Sequence, residues 1–152
     1  MTPSRVSASV VADRIAWIDA MLAGLRALPL DSIEAFEADP RNAAAAESYV
    51  RRALEALLDL GRHVLAKGFG QPAAEYRDIP RYLAEFGVID EADSLRWLKM
   101  AGYRNRMVHF YSEVSRAELY DICATKLGDV ESAVLAVRAW MAAHPENVDA
   151  SL

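Results

Sequence analysis

Apolar residues recur every three or four positions along this chain, and no stretch alternates apolar with polar over the length of a half-buried strand. That period restricts the chain to packed amphipathic helices, because on a strand it scatters the apolar side chains over both faces. Val11, Ile15, Ile18, Leu22 and Leu25 form one stripe and predict a helix from about Ser7 to Leu28, stopped by Pro29. A short helical turn over Ile33 to Glu37 ends at the Asp39-Pro40 step. Val50, Leu54, Leu57, Leu58 and Leu65 predict a long helix from about Arg41 to Lys67, with Gly68 as its left-handed terminator. The loop GFGQPAAEYRD then leads to a short helix over Pro80 to Phe86, ended by Gly87. Asp90 caps the next helix, and Asp93 acts electrostatically on its first turn. Ser115 and Glu118 make a Ser-x-x-Glu capping box that opens a last long helix with the stripe Leu119, Ile122, Val130, Val134, Val137 and Met141. The expected fold is all-α, an up-and-down bundle of four long helices with one or two short ones, forming a single domain over residues 1–152.

Composition narrows the function classes. A chain of 152 residues buries roughly two thirds of its unfolded surface without disulfides or structural metal. Cys123 stands alone, and His63, His109 and His144 make no Cys/His spacing of a zinc site, so no metal and no cofactor is expected. The absence of a disulfide framework, of a signal peptide and of any 18-residue apolar run predicts a cytoplasmic protein with no membrane span. A net charge of −5 argues against nonspecific coating of nucleic acid, which is driven by releasing counterions from many phosphates. Any RNA contact must therefore be local. From Ser94 to Ser112 there is no Asp or Glu, while Arg96, Lys99, Arg104 and Arg106 all fall there; Arg106 and Lys99 are the phosphate-binding candidates.

The segment AGYRNRMVHFY concentrates chemistry in that run. At about 100° per residue, Arg104, Val108 and Tyr111 share a narrow stripe, with Asn105 and His109 on the adjacent face. Arg104 and His109 are about 140° apart on a straight helix, so either the helix ends or bends here or the two act on a larger group such as a phosphodiester. An imidazole gives or takes a proton near neutral pH, a guanidinium offers a planar fork to phosphate oxygens, and Asn105 is a supporting group able to orient the ring. This is the minimum kit for metal-free RNA cleavage, which activates the ribose 2′-OH, stabilises the phosphorane and protonates the leaving 5′ oxygen. Two proton-transfer groups serve that reaction best, and His144, beside Pro145 near the tail, is poorly placed to be the second. A homodimer supplies a second His109, so a symmetric dimer follows from the mechanism. Against this stands the ordinary case, in which a lone helical histidine is structural and a nearby arginine pairs with an acid. The conjunction of Asn105, Tyr111 and an acid-free segment favours chemistry.

Upstream, Arg51, Glu55, Asp59 and His63 recur at four-residue steps, beside Arg52 and Arg62. Such a row is usually a set of surface ion pairs worth a few tenths of a kcal/mol each. Glu55 and Asp59 border the apolar stripe, however, and are supporting candidates to orient Arg104 or His109. Gly61 reads as a packing position.

RNRMVHFY resembles the Arg-x-x-x-x-His-x-Tyr signature of the HepT-type toxins in the HEPN ribonuclease superfamily, including the Asn directly after Arg. ALEALLDLGRHVL, YRDIPRYLAEFGVIDE and LKMAGYRNRMVH are similar to the segments leading to that motif, and the likeness runs from about Arg14 to Trp140. The resemblance implies a HEPN-like ribonuclease fold active as a homodimer whose motif helices meet in a cleft. It implies a type VII toxin–antitoxin pair with an MntA-like nucleotidyltransferase antitoxin that transfers AMP to the motif tyrosine. Carried over residue by residue, Arg104 and His109 are the catalytic pair and Tyr111 is the modification site. Each AMP adds negative charge and bulk seven residues from Arg104 on the same stripe, excluding substrate phosphate by charge and volume together. Phe110 departs from the polar residue usual at that position and suits an interface or the core. The competing expectation is a noncatalytic helical partner of a nucleotidyltransferase, with Arg104 and Arg106 holding phosphate only.

Overall fold

The computed structural model describes residues 4–109 and 114–151, which form seven α-helices: α1 Ala8–Arg26, α2 Ile33–Glu37, α3 Pro40–Phe69, α4 Asp78–Glu85, α5 Glu91–Val108, α6 Arg116–Thr125 and α7 Leu127–Ala143. Their starts follow from local chemistry. Ser7, Ser32, Asp39, Asp90 and Ser115 each accept a hydrogen bond from a backbone N–H of the helix they precede, and Pro40 opens α3 where its missing N–H costs nothing.

The 30 residues of α3 span roughly 45 Å and make it the axis of the bundle. Leu57, Leu58, Leu60, Val64 and Leu65 have no exposed surface, because α1, α4, α5, α6 and α7 all pack on this helix. The most extensive of these pairings is with α1. Gly61 lets α4 and α5 dock closely: a Cβ there would stand 2.7 Å from Ile79 Cγ2 and 3.0 Å from Trp97 Cζ3. That docking holds the end of α5 and the loop before α4 beside the Glu55 to Arg62 portion of α3.

Two helix boundaries and one pair of strands differ from the sequence expectation. Gly68 does not end α3; the helix continues to Phe69, and Gly70, with φ of 65°, is the left-handed cap. Gly68 is instead a packing position, where a Cβ would meet Val6 Cγ2 at 3.3 Å. The expected last long helix is two, broken at Lys126, whose φ of −118° and ψ of 3° lie outside the helical region. There the Thr125 hydroxyl donates to the Asp121 carbonyl at 2.7 Å, competing with the helical ladder, and Gly128 follows with little propensity to bridge the break. Finally, β1 Val6–Ser7 and β2 Val148–Asp149 pair in parallel, joining the segment before α1 to the segment after α7. A pair of two-residue strands leaves no period to see. Among the described residues no helix is long and apolar enough to cross a membrane.

Candidate active site

Helix α5 stops at Val108, and His109 follows it with extended backbone, φ −107° and ψ 103°. The stop resolves the 140° separation that a straight helix would impose. Arg104 and Asn105 from the last turn, and His109 from just beyond it, line one open groove with Arg62, Ala74, Glu75, Tyr76 and Arg77. His109 is exposed at its mouth. Phe110 and Tyr111 lie outside the described residues, so the expected modification site is fixed only by its sequence distance, two residues past His109.

The Arg104 guanidinium is held by three groups. Its centre lies 4.7 Å from the Tyr76 ring centroid, its Nε approaches Glu55 Oε1 at 3.4 Å, and its Nη1 donates to Asn105 Oδ1 at 3.2 Å. Asn105 therefore orients the arginine. Glu55 is shared with Arg51, at 3.5 Å, so one carboxylate answers two cations through long contacts. No described residue occupies the Arg104 fork bidentately, and it retains capacity for an anion.

Tyr76 organises this side of the groove. The Arg62 guanidinium also lies over its ring, at 4.9 Å, and the Tyr76 hydroxyl donates to Asp59 Oδ1 at 3.2 Å. Burial and the neighbouring Asp59 carboxylate push the Tyr76 phenol up, so it stays a donor at neutral pH. Arg62 Nε donates to the Ala73 carbonyl at 3.0 Å, fastening the loop that carries Tyr76 to α3. Of the two supporting carboxylates expected from sequence, Glu55 touches Arg104 directly, and Asp59 reaches it through Tyr76. Tyr76 itself was not expected from sequence. Its only signal is an aromatic flanked by charges in AEYRD, without helical periodicity to say which side it faces.

The phosphate-binding candidates are not in this groove. Arg106 makes a bidentate pair with Glu118, at 2.8 and 2.9 Å, and lines another surface with Met107, Val108 and Arg116. The acid-free run did not leave Arg106 without acids, because Glu118 arrives from α6. Lys99 lines a small apolar cavity of about 90 Å³ enclosed by α1, α3, α5, α6 and α7, with Tyr103 and Lys126. His144 Nδ1 donates to the Trp140 carbonyl at 2.9 Å, and its ring stacks on Trp140, well occupied as a structural residue. Cys123 is buried and its thiol is pushed up to about 11, which removes it as a nucleophile. Tyr120 donates to the Leu30 carbonyl at 2.9 Å.

A family model described as ribonuclease HepT-like matches residues 18–137. Among solved structures, the chain is similar to one described as a toxin–antitoxin with AMP-PNP, at 22% identity and a TM-score of 0.78, covering 86% of this chain and 98% of that one. It is similar to a tri-AMPylated Shewanella oneidensis HEPN toxin in complex with MNT antitoxin, at 23% identity and a TM-score of 0.78, covering 86% and 97%. It is also similar to YutE, a cytosolic protein of unknown function from Bacillus subtilis, at 20% identity and a TM-score of 0.74, covering 94% of each. At these identities the likeness is one of fold. No match is found among curated proteins.

Proposed function

The chain belongs to the HepT-like ribonuclease family, and from that premise we propose that it is the toxin of a toxin–antitoxin pair, a metal-independent endoribonuclease of the cytoplasm. The observation that carries the proposal is the convergence of Arg104, Asn105 and His109 on one open groove, permitted by the end of α5 at Val108.

In this mechanism one His109 takes the proton of a ribose 2′-OH as that oxygen attacks phosphorus. The second His109, from the partner subunit of a homodimer, gives a proton to the departing 5′ oxygen. The products are a 2′,3′-cyclic phosphate and a free 5′-OH. The Arg104 fork, oriented by Asn105, Tyr76 and Glu55, holds the charge that builds on the phosphorane. The outward face of α5 supports the dimer. Leu95 and Leu98 are 61% and 47% exposed, and with Gly102 and Asn105 they form a stripe leading to the groove. A second α5 laid on this stripe covers both leucines and brings the two grooves together.

The antitoxin reading rests on the neighbours, one of which is a tri-AMPylated toxin bound to its antitoxin. For this chain we place the modification on Tyr111, at most about 7 Å of chain beyond His109. AMP there carries its phosphate charge to the mouth of the groove and displaces substrate. The partner is an MntA-like nucleotidyltransferase.

The test is cleavage of single-stranded RNA by the purified chain with EDTA present. Arg104→Ala and His109→Ala should each lower the rate by about 10²–10⁴-fold and relieve growth inhibition on expression without the neighbouring gene. A wild-type chain that is harmless alone and cuts no RNA ends this reading in favour of a noncatalytic partner. Intact mass after co-expression with the nucleotidyltransferase should show added AMP that disappears in Tyr111→Phe.

A further inference from the structure

Trp17 is 47% exposed, although its neighbours Ile15 and Ile18 are buried and complete the core face of α1 without it. It lines an open groove with Arg14, Arg51, Arg52, Glu55, Ala56 and Asp59. Arg14 and Arg52 are exposed and form no ion pair with a described carboxylate.

This groove adjoins the candidate active site. Glu55 reaches Arg51 on one side and Arg104 on the other, at 3.5 and 3.4 Å. Asp59 likewise reaches Arg62 and Tyr76, at 3.4 and 3.2 Å. The two grooves together carry six arginines against three carboxylates, in a chain whose net charge is −5. The combined lining is thus net positive, with Glu55 and Asp59 at the seam that joins this groove to the place where a phosphodiester would react.

We propose that Trp17, Arg14 and Arg52 form a subsite for single-stranded RNA flanking the cleaved bond, with a base stacked on the indole and adjacent phosphates held by the two guanidinium groups. The proposal rests on the ribonuclease reading and names where the rest of the substrate lies. A flat indole stacks any base, and unpaired arginines beside it hold a backbone, the arrangement by which single strands are bound without sequence preference. A protein partner is the less fitting occupant. The core of such an interface is a cluster of apolar residues, and Trp17 is the one large apolar side chain exposed in this groove among the described residues.

The experiment measures binding of a short labelled single-stranded RNA to the full chain in a His109→Ala background, so that cleavage does not interfere. Trp97 and Trp140 are buried, so quenching of tryptophan fluorescence by RNA reports on Trp17. Trp17→Ala should abolish the quench and weaken binding about tenfold, and Trp17→Phe should restore most of the affinity. The double variant Arg14→Gln, Arg52→Gln should lower the slope of log affinity against log salt by about 1.4. Unchanged affinity and slope overturn the subsite, as does equal affinity for duplex RNA. A Trp17→Ala chain that binds RNA normally but fails to dimerise, or fails to bind the nucleotidyltransferase, overturns it in favour of a protein interface. The two readings fail separately. A wild-type chain that binds RNA through Trp17 yet cuts nothing keeps the subsite and loses the nuclease, whereas one that cuts RNA with a KM insensitive to Trp17→Ala loses only the subsite.

Discussion

Tyr76 couples two parts of the molecule that meet nowhere in sequence. Its ring carries the Arg104 guanidinium at 4.7 Å, and its hydroxyl is fixed by Asp59 on α3. A cation over an aromatic ring gains about 0.5–2 kcal/mol, of the same order as the 1.4 kcal/mol that separates a tenfold change in rate. Tyr76→Ala should therefore lower kcat about tenfold with KM little changed, while Tyr76→Phe, which keeps the ring, stays within about threefold of wild type. Equal losses in both variants would locate the effect in the hydroxyl. A second single residue sets a pH dependence of stability. His63 Nε2 accepts the Ser7 N–H at 3.0 Å, and burial, with Lys67 and Arg14 adding to it, lowers the pKa of the ring in the folded chain. The unfolded chain then binds more protons, so the stabilisation is complete above the ordinary value of 6.5 and declines as pH falls from there through the folded value. The melting temperature should drop between pH 7.5 and 5.5. In His63→Gln, whose amide oxygen can accept the same N–H without titrating, the drop should shrink.

At the scale of elements, the docking of α5 on α3 passes through Gly61. Gly61→Ala places a methyl 2.7 Å from Ile79 Cγ2, in contact with side chains that are themselves fully packed, and should cost about 1–3 kcal/mol in a denaturant titration. Because α5 presents the Arg104 groove, cleavage should fall further than the loss of folded protein explains. Sequence periodicity located all the helices that carry the groove, since a buried stripe on a long helix repeats often enough to be read. It also marked the Asp90 cap and the Gly61 close approach. It missed what depends on a single local competition: the break at Lys126, where one threonine hydroxyl takes a backbone carbonyl, and the end of α3, where Gly68 and Gly70 look alike until the packing of Val6 separates them. In the site, Arg104, Asn105 and His109 were legible as a cluster because they fall within six consecutive residues, although their convergence depends on the end of α5 at Val108. Tyr76 was not, because its partners lie on α3 and α5 and its loop has no period. Glu118 against Arg106 escaped for the same reason: charge counted along one segment ignores the acids that another helix delivers.

At the scale of the whole molecule, the groove holds one His109, and in-line cleavage with both an acid and a base calls for two. In the proposed dimer, the exposed stripe of Leu95, Leu98 and Gly102 on α5 is the surface on which a second copy would complete the site. Leu95→Glu with Leu98→Glu would put like charges across that proposed twofold and should give a monomer by sedimentation, with unchanged helical signal and cleavage reduced at least about 100-fold. Monomerisation alone does not tell a shared centre from two complete ones that need the dimer for stability. A mixed dimer does. If each reaction uses the imidazoles of both subunits, a dimer of one wild-type and one His109→Ala chain, purified through two different tags, has no intact centre and should retain only a few per cent of wild-type activity. If each subunit carries a complete centre of its own, the same dimer keeps about half, and the paired imidazoles would have to be abandoned for a mechanism within one chain, in which the Arg104 groove finds its second proton-transfer group among the residues that already line it.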